Sequence, residues 1–223
     1  MTTECCSSGI SHEIGQDEKA LLCYCDCVKG QQTRYKTLPV DMASWSLDNF
    51  PGQSAGVKVI REWLQQRDLP WLVLMGPYGR GKTSLAVAAM KEWIDGGIEY
   101  FGETAWIMNH GKDAQFWPID DLNEKVKGSF NDQAENPLPY LRDTCRFLVL
   151  DDIEKIRGTP FEENLLNQLL ARRHDAASRK RTIITTNKNR EQLSDFFGGW
   201  VWERVQQKAM FLSVTGANLR REG

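Results

Sequence analysis

The segment of residues 76–84, Gly-Pro-Tyr-Gly-Arg-Gly-Lys-Thr-Ser, limits the fold of this 223-residue chain more than any other feature. It matches the pattern G-x-x-x-x-G-K-[ST] and stands between an apolar run (71–75) and a helix pattern (83–94). Its glycines allow a tight turn that points backbone N–H groups at a phosphate, and the start of the helix adds partial positive charge. The segment therefore predicts a nucleotide-phosphate site formed by Gly76, Pro77, Tyr78, Gly79, Arg80, Gly81, Lys82, Thr83 and Ser84.

Two side chains of this segment have separate expected roles. Lys82 reaches the β and γ phosphates, and the hydroxyl of Thr83 is a ligand for Mg²⁺. The predicted cofactors are therefore ATP and Mg²⁺. The enzyme activity that we expect is hydrolysis of ATP to ADP and phosphate, stimulated by assembly.

A second apolar run, residues 147–150, is followed by two acidic side chains, Asp151 and Asp152. We expect this run to form a core strand next to the strand of residues 71–75. Asp151 would then bind Mg²⁺ or its waters, and Asp152 would orient or activate the attacking water.

The order of apolar runs and helix patterns predicts an α/β fold with a parallel sheet. Expected strands cover residues 71–75, 114–119, 147–150, 182–186 and 210–214. Thr159-Pro-Phe-Glu162 predicts a capping box with Pro160 at the first position of a helix. The segment 100–112 is either an extra hairpin or an irregular insertion. We divide the chain into a Cys-rich segment (1–32), a linker (33–56) and an ATPase domain (57–223).

Two more polar residues occupy positions that resemble catalytic positions of AAA+ proteins. Asn187 follows the run 182–186, where AAA+ proteins place a sensor side chain that contacts the γ-phosphate or the attacking water. Arg204 precedes the last strand, where an arginine finger enters the nucleotide site of a neighbouring subunit. We therefore interpret Asp152, Asn187 and Arg204 as catalytic residues; the alternatives are a turn Asn and a surface Arg.

These motifs, together with Glu203-Arg-Val205 and Leu212-Ser-Val-Thr-Gly-Ala-Asn-Leu-Arg220, resemble the DnaC/DnaI-type helicase loaders. They equally resemble the IstB-type ATPases that assist transposition. The resemblance extends from about Ala43 onward, and Trp45-Ser-Leu-Asp-Asn-Phe50 is similar to a segment that packs near the adenine in this family. The chain ends nine residues after Val214, so we expect no C-terminal helical lid.

This resemblance implies a P-loop NTPase of the AAA+ type with a five-stranded parallel sheet flanked by helices. It implies assembly into a ring or spiral that handles single-stranded or duplex DNA. A hexameric replicative helicase is the expected partner of a loader, and a transposase is the partner of an IstB-like regulator of transposition. A third alternative is a nucleotide-gated adaptor with little hydrolysis.

Cysteines are concentrated near the N-terminus. In a reducing compartment, such a cluster favours a metal site over disulfides. Cys5, Cys6, Cys23, Cys25 and Cys27 could supply thiolates for Zn²⁺, although C-x-C-x-C is an unusual spacing. Some relatives carry a small zinc element before the core, to which Cys25-Asp-Cys27 followed by Gly30 is similar. A zinc element and a Cys-rich tail without metal remain alternatives.

The overall charge gives little support to nucleic-acid binding by a global basic field, because the net charge is −2. A local basic cluster has two interpretations, phosphate contacts in a ring or an ordinary solvated surface. The cluster contains Arg172, Arg173, Arg179, Lys180, Arg181, Lys188 and Arg190.

No apolar run is long enough to span a membrane, and the N-terminus has no apolar signal core, so we expect a cytoplasmic protein.

Overall fold

The computed structural model describes residues 10–14, 20–24, 45–51, 54–66, 68–96, 98–101, 105–108, 113–131, 135–156, 158–175 and 180–216. The strands are β1 (Ile10–Ile14), β2 (Ala20–Tyr24), β3 (Trp71–Met75), β4 (Ile98–Phe101), β5 (Ala105–Met108), β6 (Ala114–Pro118), β7 (Phe147–Asp151), β8 (Arg181–Thr186) and β9 (Ala209–Ser213). The helices are α1 (Ser54–Gln65), α2 (Lys82–Asp95), α3 (Ile119–Asn131), α4 (Pro160–Asp175) and α5 (Arg190–Lys208). A π-helical turn (Tyr140–Thr144) precedes β7, and a 3₁₀ turn (Ile153–Lys155) follows it.

The central sheet has five parallel strands in the order β6-β7-β8-β3-β9. This confirms the predicted fold class and all five predicted strands. The expected neighbour of β3 is wrong, however, because β8 lies between β3 and β7. Thr182 pairs with Trp71 on one side and with Leu148 on the other. The acids at the C-terminal end of β7 are therefore one strand further from the glycine-rich loop than we expected.

Alternate residues of the central strands pack on opposite faces of the sheet, as the period-two geometry of a strand requires. Val73 and Leu150 belong to one apolar cluster, whereas Leu74 and Val149 belong to the other. The first cluster includes apolar side chains of α3, α4 and α5, and the second includes those of α1 and α2. The sheet is thus covered on both faces, which explains why its strands read as continuous apolar runs.

Local sequence signals agree with the ends of several elements. Pro160 begins α4, and the N–H of Glu162 donates to the hydroxyl of Thr159 at 3.3 Å, as predicted for a cap. Gly198 interrupts α5 with a positive φ of 68°, a conformation that glycine adopts without a steric penalty. The helix containing Arg204 therefore starts anew after this glycine.

Two hairpins lie outside the central sheet. β4 and β5 pair antiparallel with Ile98 opposite Met108, which decides between the two alternatives for residues 100–112 in favour of a hairpin. β1 and β2 form another antiparallel hairpin, which the sequence analysis missed in the Cys-rich segment. Cys23 lies on β2, opposite Ser11.

The other four cysteines of the predicted zinc site, Cys5, Cys6, Cys25 and Cys27, are outside the described residues. Among the residues that the structure does describe, no cluster of His, Cys, Asp and Glu could hold a metal ion. Zinc binding therefore stays a prediction.

The segment 45–51 packs against the ATPase core. Leu47 and Phe50 are buried in the same apolar cluster as α1 and α2, and Trp45 lies 5.4 Å from Phe50 between ring centroids. Arg61 on α1 ties this segment to α2 through ion pairs with Asp48 and Glu92. The segment is therefore part of the folded domain, and its expected place near the adenine stays a prediction.

Three members of the predicted basic cluster do not form a phosphate-binding surface. Arg173 and Lys180 are buried, and Lys180 donates to the carbonyl of Arg142. Arg181 donates to the carbonyls of Trp63, Leu64 and Gln66 and so satisfies acceptors at the C-terminal end of α1. These cations serve as internal hydrogen-bond donors, a role that charge counting does not reveal.

The membrane expectation concerns helix length and hydropathy. Across the described ranges, every helix falls short of the length and apolar character needed to cross a bilayer.

Candidate nucleotide-binding site

The glycine-rich loop lies between the end of β3 and the start of α2. At Gly76, φ is 147°, and a Cβ at this position would lie only 2.3 Å from the carbonyl oxygen of Val214, so no larger residue fits. Gly81 occupies the N-cap of α2 in a left-handed conformation, with φ of 83°. Both positions need glycine, and together they turn the loop directly into the N-terminal end of a 14-residue helix.

Lys82 is the first residue of α2, and its side chain turns back into the loop. It is only 5% exposed. Its Nζ donates to the carbonyls of Gly76 (2.8 Å) and Pro77 (2.9 Å) and to Oδ1 of Asn187 (2.7 Å). The ammonium group therefore lies within the curve of the loop, where phosphate oxygens can replace these neutral acceptors.

Asp151 ends β7 and is nearly buried beneath the start of α2. Its Oδ1 accepts hydrogen bonds from the hydroxyls of Thr83 (2.9 Å) and Thr185 (2.6 Å). Burial raises the pKa of Asp151, and the charge of Asp152 adds to the rise, whereas the two hydroxyl donors oppose it. Thr83 and Asp151 thus present adjacent hard oxygen atoms, which fit the ligand preference of Mg²⁺.

Asp152 has an unusual backbone conformation, with φ of 53°. Its side chain pairs with Lys155 at 3.3 Å, and Lys155 also pairs with Asp120 at the start of α3 (3.4 Å). The N–H of Asp152 donates to the hydroxyl of Thr185 at 2.9 Å. A left-handed non-glycine residue at the end of a core strand is strained, and such strain is common at functional sites. The carboxylate of Asp152 is thus ion-paired with Lys155.

Asn187 links the end of β8 to the loop. Its Oδ1 accepts from Lys82, while its backbone N–H donates to Oε1 of Glu154 at 3.1 Å and its Nδ2 donates to the same oxygen. Glu154 was not predicted from the sequence. The signal available was a third acidic residue close behind Asp151 and Asp152, in a segment that could equally precede a helix.

The remaining residues of the loop face outward or brace it. Tyr78 is 62% exposed, and Lys82 Nζ lies 5.8 Å from the centroid of its ring. Arg80 donates to the carbonyl of Gly216, which joins the loop to the segment that follows β9. Ser84 is half-buried within α2.

Arg204 lies on α5, away from the contacts described above. Its guanidinium carbon is 3.8 Å from the ring centroid of Trp200, and Nη1 donates to the carbonyl of that residue at 3.4 Å. Trp200 is 54% exposed. The pair forms an aromatic and cationic feature on the surface. The structure thus brings Lys82, Thr83, Asp151 and Asn187 together and leaves Arg204 apart.

The burial of Asp151 leads to a prediction about stability. A carboxyl group whose pKa is raised on folding lowers the free energy of unfolding when it is ionised. This destabilisation is absent below the ordinary pKa of Asp, grows as pH rises towards the pKa in the folded protein, and is complete above it. Asp151→Asn is therefore expected to raise the Tm at pH 7.5 without nucleotide or Mg²⁺, by about 2–4 °C for each kcal/mol recovered. Differential scanning fluorimetry from pH 7.5 to pH 4 should show the gain shrinking as pH falls.

The exposed Asp121, on α3, provides the matched control for this comparison. Asp121→Asn should leave the Tm almost unchanged over the same pH range. A lower Tm for Asp151→Asn at pH 7.5 would show that the hydrogen bonds from Thr83 and Thr185 need the negative charge.

A parallel sheet whose P-loop strand runs into a lysine-bearing loop and a helix defines a P-loop nucleotide-binding protein. Residues 72–198 match the ATPase family associated with various cellular activities (AAA), and the chain belongs to this family. The predicted family is thereby confirmed.

Three known proteins are similar to this chain. An insertion sequence IS21 putative ATP-binding protein from Pseudomonas aeruginosa is 28% identical over 155 residues, which cover 67% of this chain and 52% of the relative. The crystal structure of the DnaC helicase loader matches with a TM-score of 0.62 and 21% identity, over 79% of this chain and 100% of that chain. AMPPCP-bound DnaA from Aquifex aeolicus matches with a TM-score of 0.60 and 17% identity, over 79% of this chain and 52% of that chain.

These comparisons differ in what they support. The two structural matches show a shared fold, since their identities are low. The chain spans about half the length of the insertion-sequence relative. Both sides of the predicted resemblance, to helicase loaders and to transposition ATPases, are represented among these similar proteins.

Proposed function

We propose that this chain binds ATP with Mg²⁺ and hydrolyses it in an assembly of several copies, as a DnaC-like helicase loader in DNA replication. The observation that carries the proposal is the convergence of four polar side chains at the glycine-rich loop, where Lys82 donates to Asn187 (2.7 Å) and Thr83 donates to Asp151 (2.9 Å). The fold shared with the DnaC helicase loader supports the choice of loader.

Each of these residues contributes a distinct physical effect. Lys82 exchanges its carbonyl partners for the β and γ phosphate oxygens and stabilises the charge that develops there. Thr83 and Asp151 would hold Mg²⁺, which neutralises phosphate charge when bound. Asn187 contacts Lys82 and places its side-chain amide where the γ-phosphate would bind. Asp152 orients the attacking water once its carboxylate is released from Lys155.

The second candidate function is an IstB-like ATPase that regulates transposition on duplex DNA. The specific observation in its favour is the 28% identity to the IS21 putative ATP-binding protein. A nucleotide-gated adaptor with little hydrolysis is the third candidate. It is favoured by the ion pair of Asp152 with Lys155, which engages the carboxylate expected to orient the attacking water.

Electron microscopy of negatively stained protein with a slowly hydrolysed ATP analogue separates the first two candidates. A loader should form a discrete complex with a hexameric replicative helicase and no regular assembly on duplex DNA. Nucleotide-dependent filaments or rings on duplex DNA alone would instead support the transposition regulator. Lys82→Ala, which should lose assembly in both cases, is the control for dependence on nucleotide.

Arg204→Ala is expected to leave ATP affinity unchanged and to abolish the rise in turnover that accompanies assembly. An arginine finger contributes about 10³-fold or more to kcat, because it stabilises charge only in the transition state. Turnover per subunit should therefore increase with protein concentration for the wild type and stay flat for the variant. Phosphate release measured over a concentration series tests this.

Mixing variants tests whether Arg204 acts on a neighbouring subunit. Asp152→Ala subunits retain Lys82, Thr83 and Arg204, so they should bind ATP and assemble without hydrolysing it, and adding them to Arg204→Ala subunits should restore part of the turnover. Arg190→Ala, at an exposed arginine in the part of α5 before Gly198, is the matched control and should behave as wild type. Concentration-dependent turnover by Arg204→Ala alone would remove this residue from the mechanism.

A further inference from the structure

Glu154 connects the 3₁₀ turn after β7 to the glycine-rich loop through a continuous chain of hydrogen bonds. Its Oε1 accepts from both the backbone N–H and the Nδ2 of Asn187. The Oδ1 of Asn187 then accepts from Lys82 Nζ at 2.7 Å. An anion and a cation thus hold opposite ends of one side-chain amide.

This arrangement determines which way the amide of Asn187 points. The terminal torsion of Asn is intrinsically broad, so an unrestrained amide can exchange the positions of its oxygen and nitrogen. A carboxylate only accepts and an ammonium only donates. Nδ2 must therefore face Glu154, and Oδ1 must face the loop.

We propose that Glu154 is a positioning residue that orients Asn187 so that its Oδ1, an acceptor, faces the phosphate-binding loop. The inference rests on the proposed ATPase function. When phosphate oxygens bind Lys82, the two bonds to Glu154 keep Asn187 in place. In this orientation Asn187 accepts a hydrogen bond from Lys82 or from the attacking water, and it does not donate Nδ2 to the γ-phosphate.

Asp152 does not supply this restraint, although it is closer to Asp151 in sequence. Its carboxylate pairs with Lys155, and its N–H is bound to Thr185. The other oxygen of Glu154, Oε2, is buried and has no hydrogen-bond partner within the described part of the chain. All contacts from Glu154 to Asn187 therefore pass through a single oxygen.

This geometry provides a conservative variant. In Glu154→Gln, the amide oxygen can replace Oε1 and accept both bonds from Asn187, and the new NH₂ takes the place of Oε2. Glu154→Ala removes both bonds. A positioning role therefore requires Glu154→Gln to retain most of the activity that Glu154→Ala loses.

Nuclear magnetic resonance of the nucleotide-free protein tests the orientation without any assay of hydrolysis. The side-chain amide resonance of Asn187 is assigned by its absence in Asn187→Ala. It should move in Glu154→Ala and stay close to the wild-type position in Glu154→Gln. An unchanged resonance in Glu154→Ala would overturn the proposed contact, whatever the protein hydrolyses.

Kinetics of the assembled protein test the consequence for hydrolysis. Glu154→Ala should lower kcat by about tenfold or more, the effect typical of removing a group that orients a catalytic residue, with little change in KM for ATP. Glu154→Gln should stay within about threefold of wild type. Equal loss in both variants would show that the charge itself acts on the water and would overturn the positioning role.

A paired exchange gives the sharpest test. Asn187→Asp places two carboxylates in contact and should lower the Tm of the nucleotide-free protein through like-charge repulsion. Adding Glu154→Gln lets the new amide donate to the new carboxylate, so the double variant should regain the lost Tm. No recovery of the Tm in the double variant would count against the contact. An inactive wild type with an intact Asn187–Glu154 resonance would instead refute the proposed function.

Discussion

Lys82→Ala is expected to abolish ATP hydrolysis and to weaken ATP binding by about 30-fold or more, equivalent to about 2 kcal/mol or more. The reason is the position of the ammonium group, which is 5% exposed and bonded to loop carbonyls and to Asn187. A charge already desolvated in the site interacts strongly with phosphate, and alanine provides no substitute. Calorimetric titration with ATP and an assay of phosphate release measure the two effects.

Lys125→Ala is the matched control, because Lys125 is an exposed lysine on α3. It should bind and hydrolyse ATP as the wild type does. Lys82→Ala also separates an ATPase from a passive adaptor. If the variant kept its partner binding without nucleotide, the adaptor would be favoured; unchanged hydrolysis would contradict the assignment of the site.

Arg173→Met is expected to lower the free energy of unfolding by about 3–5 kcal/mol. The guanidinium group is fully buried and its hydrogen-bond acceptors are all neutral. It donates to the hydroxyl of Thr182 (2.9 Å) and to the carbonyls of Leu141 (2.7 Å), Cys145 (2.8 Å) and Arg181 (2.7 Å). Burial lowers the pKa of Arg173, so replacing the charged side chain removes a desolvation cost. This gain is smaller than the cost of leaving four buried acceptors without a hydrogen-bond donor.

Chemical denaturation monitored by circular dichroism measures this effect. Methionine keeps most of the aliphatic volume, so the loss reports hydrogen bonds more than packing. Arg172→Met, at the exposed neighbouring position, is the control and should change the free energy of unfolding by less than about 0.5 kcal/mol. Equal stability of both variants would show that water replaces the guanidinium in the core.

Arg173 illustrates a general limit on reading charge from sequence. The cluster that contains it could be interpreted as a phosphate-binding surface or as a solvated face, and charge density alone does not separate a surface cation from an internal donor. The acceptors that Arg173 satisfies come from the π-helical turn before β7 and from β8, which are distant from one another along the chain. Only packing brings them together.

Asp152 and Glu154 show the same limit within the site. Two successive acids after an apolar run predict a metal ligand followed by a base, and the sequence indicates nothing further about Glu154. The left-handed backbone of Asp152 and its pairing with Lys155 depend on the turn that follows β7. The contact between Glu154 and Asn187 joins residues 33 positions apart.

Local sequence patterns were sufficient to predict those parts of the protein in which neighbouring residues carry the structural constraint. A strand buried on both faces must be apolar along its length. A phosphate loop needs glycine where φ is positive or where no side chain fits. A capping residue followed by proline, here Pro160, favours the start of a helix. These constraints act on neighbouring residues, so they leave a local signature. The five strands and the glycine-rich loop followed from these constraints, whereas the AAA family was implied by the resemblance of the motifs.

The order of the strands and the partners of the charged residues depend on the tertiary structure. The insertion of β8 between β3 and β7 follows from which apolar faces pack together, and no single segment encodes that choice. The same packing brings Asn187 to Lys82 and buries Arg173 among carbonyl groups. Long-range contacts of this kind depend on the whole fold, because the energy of a charge is set by its surroundings and not by its position in the chain.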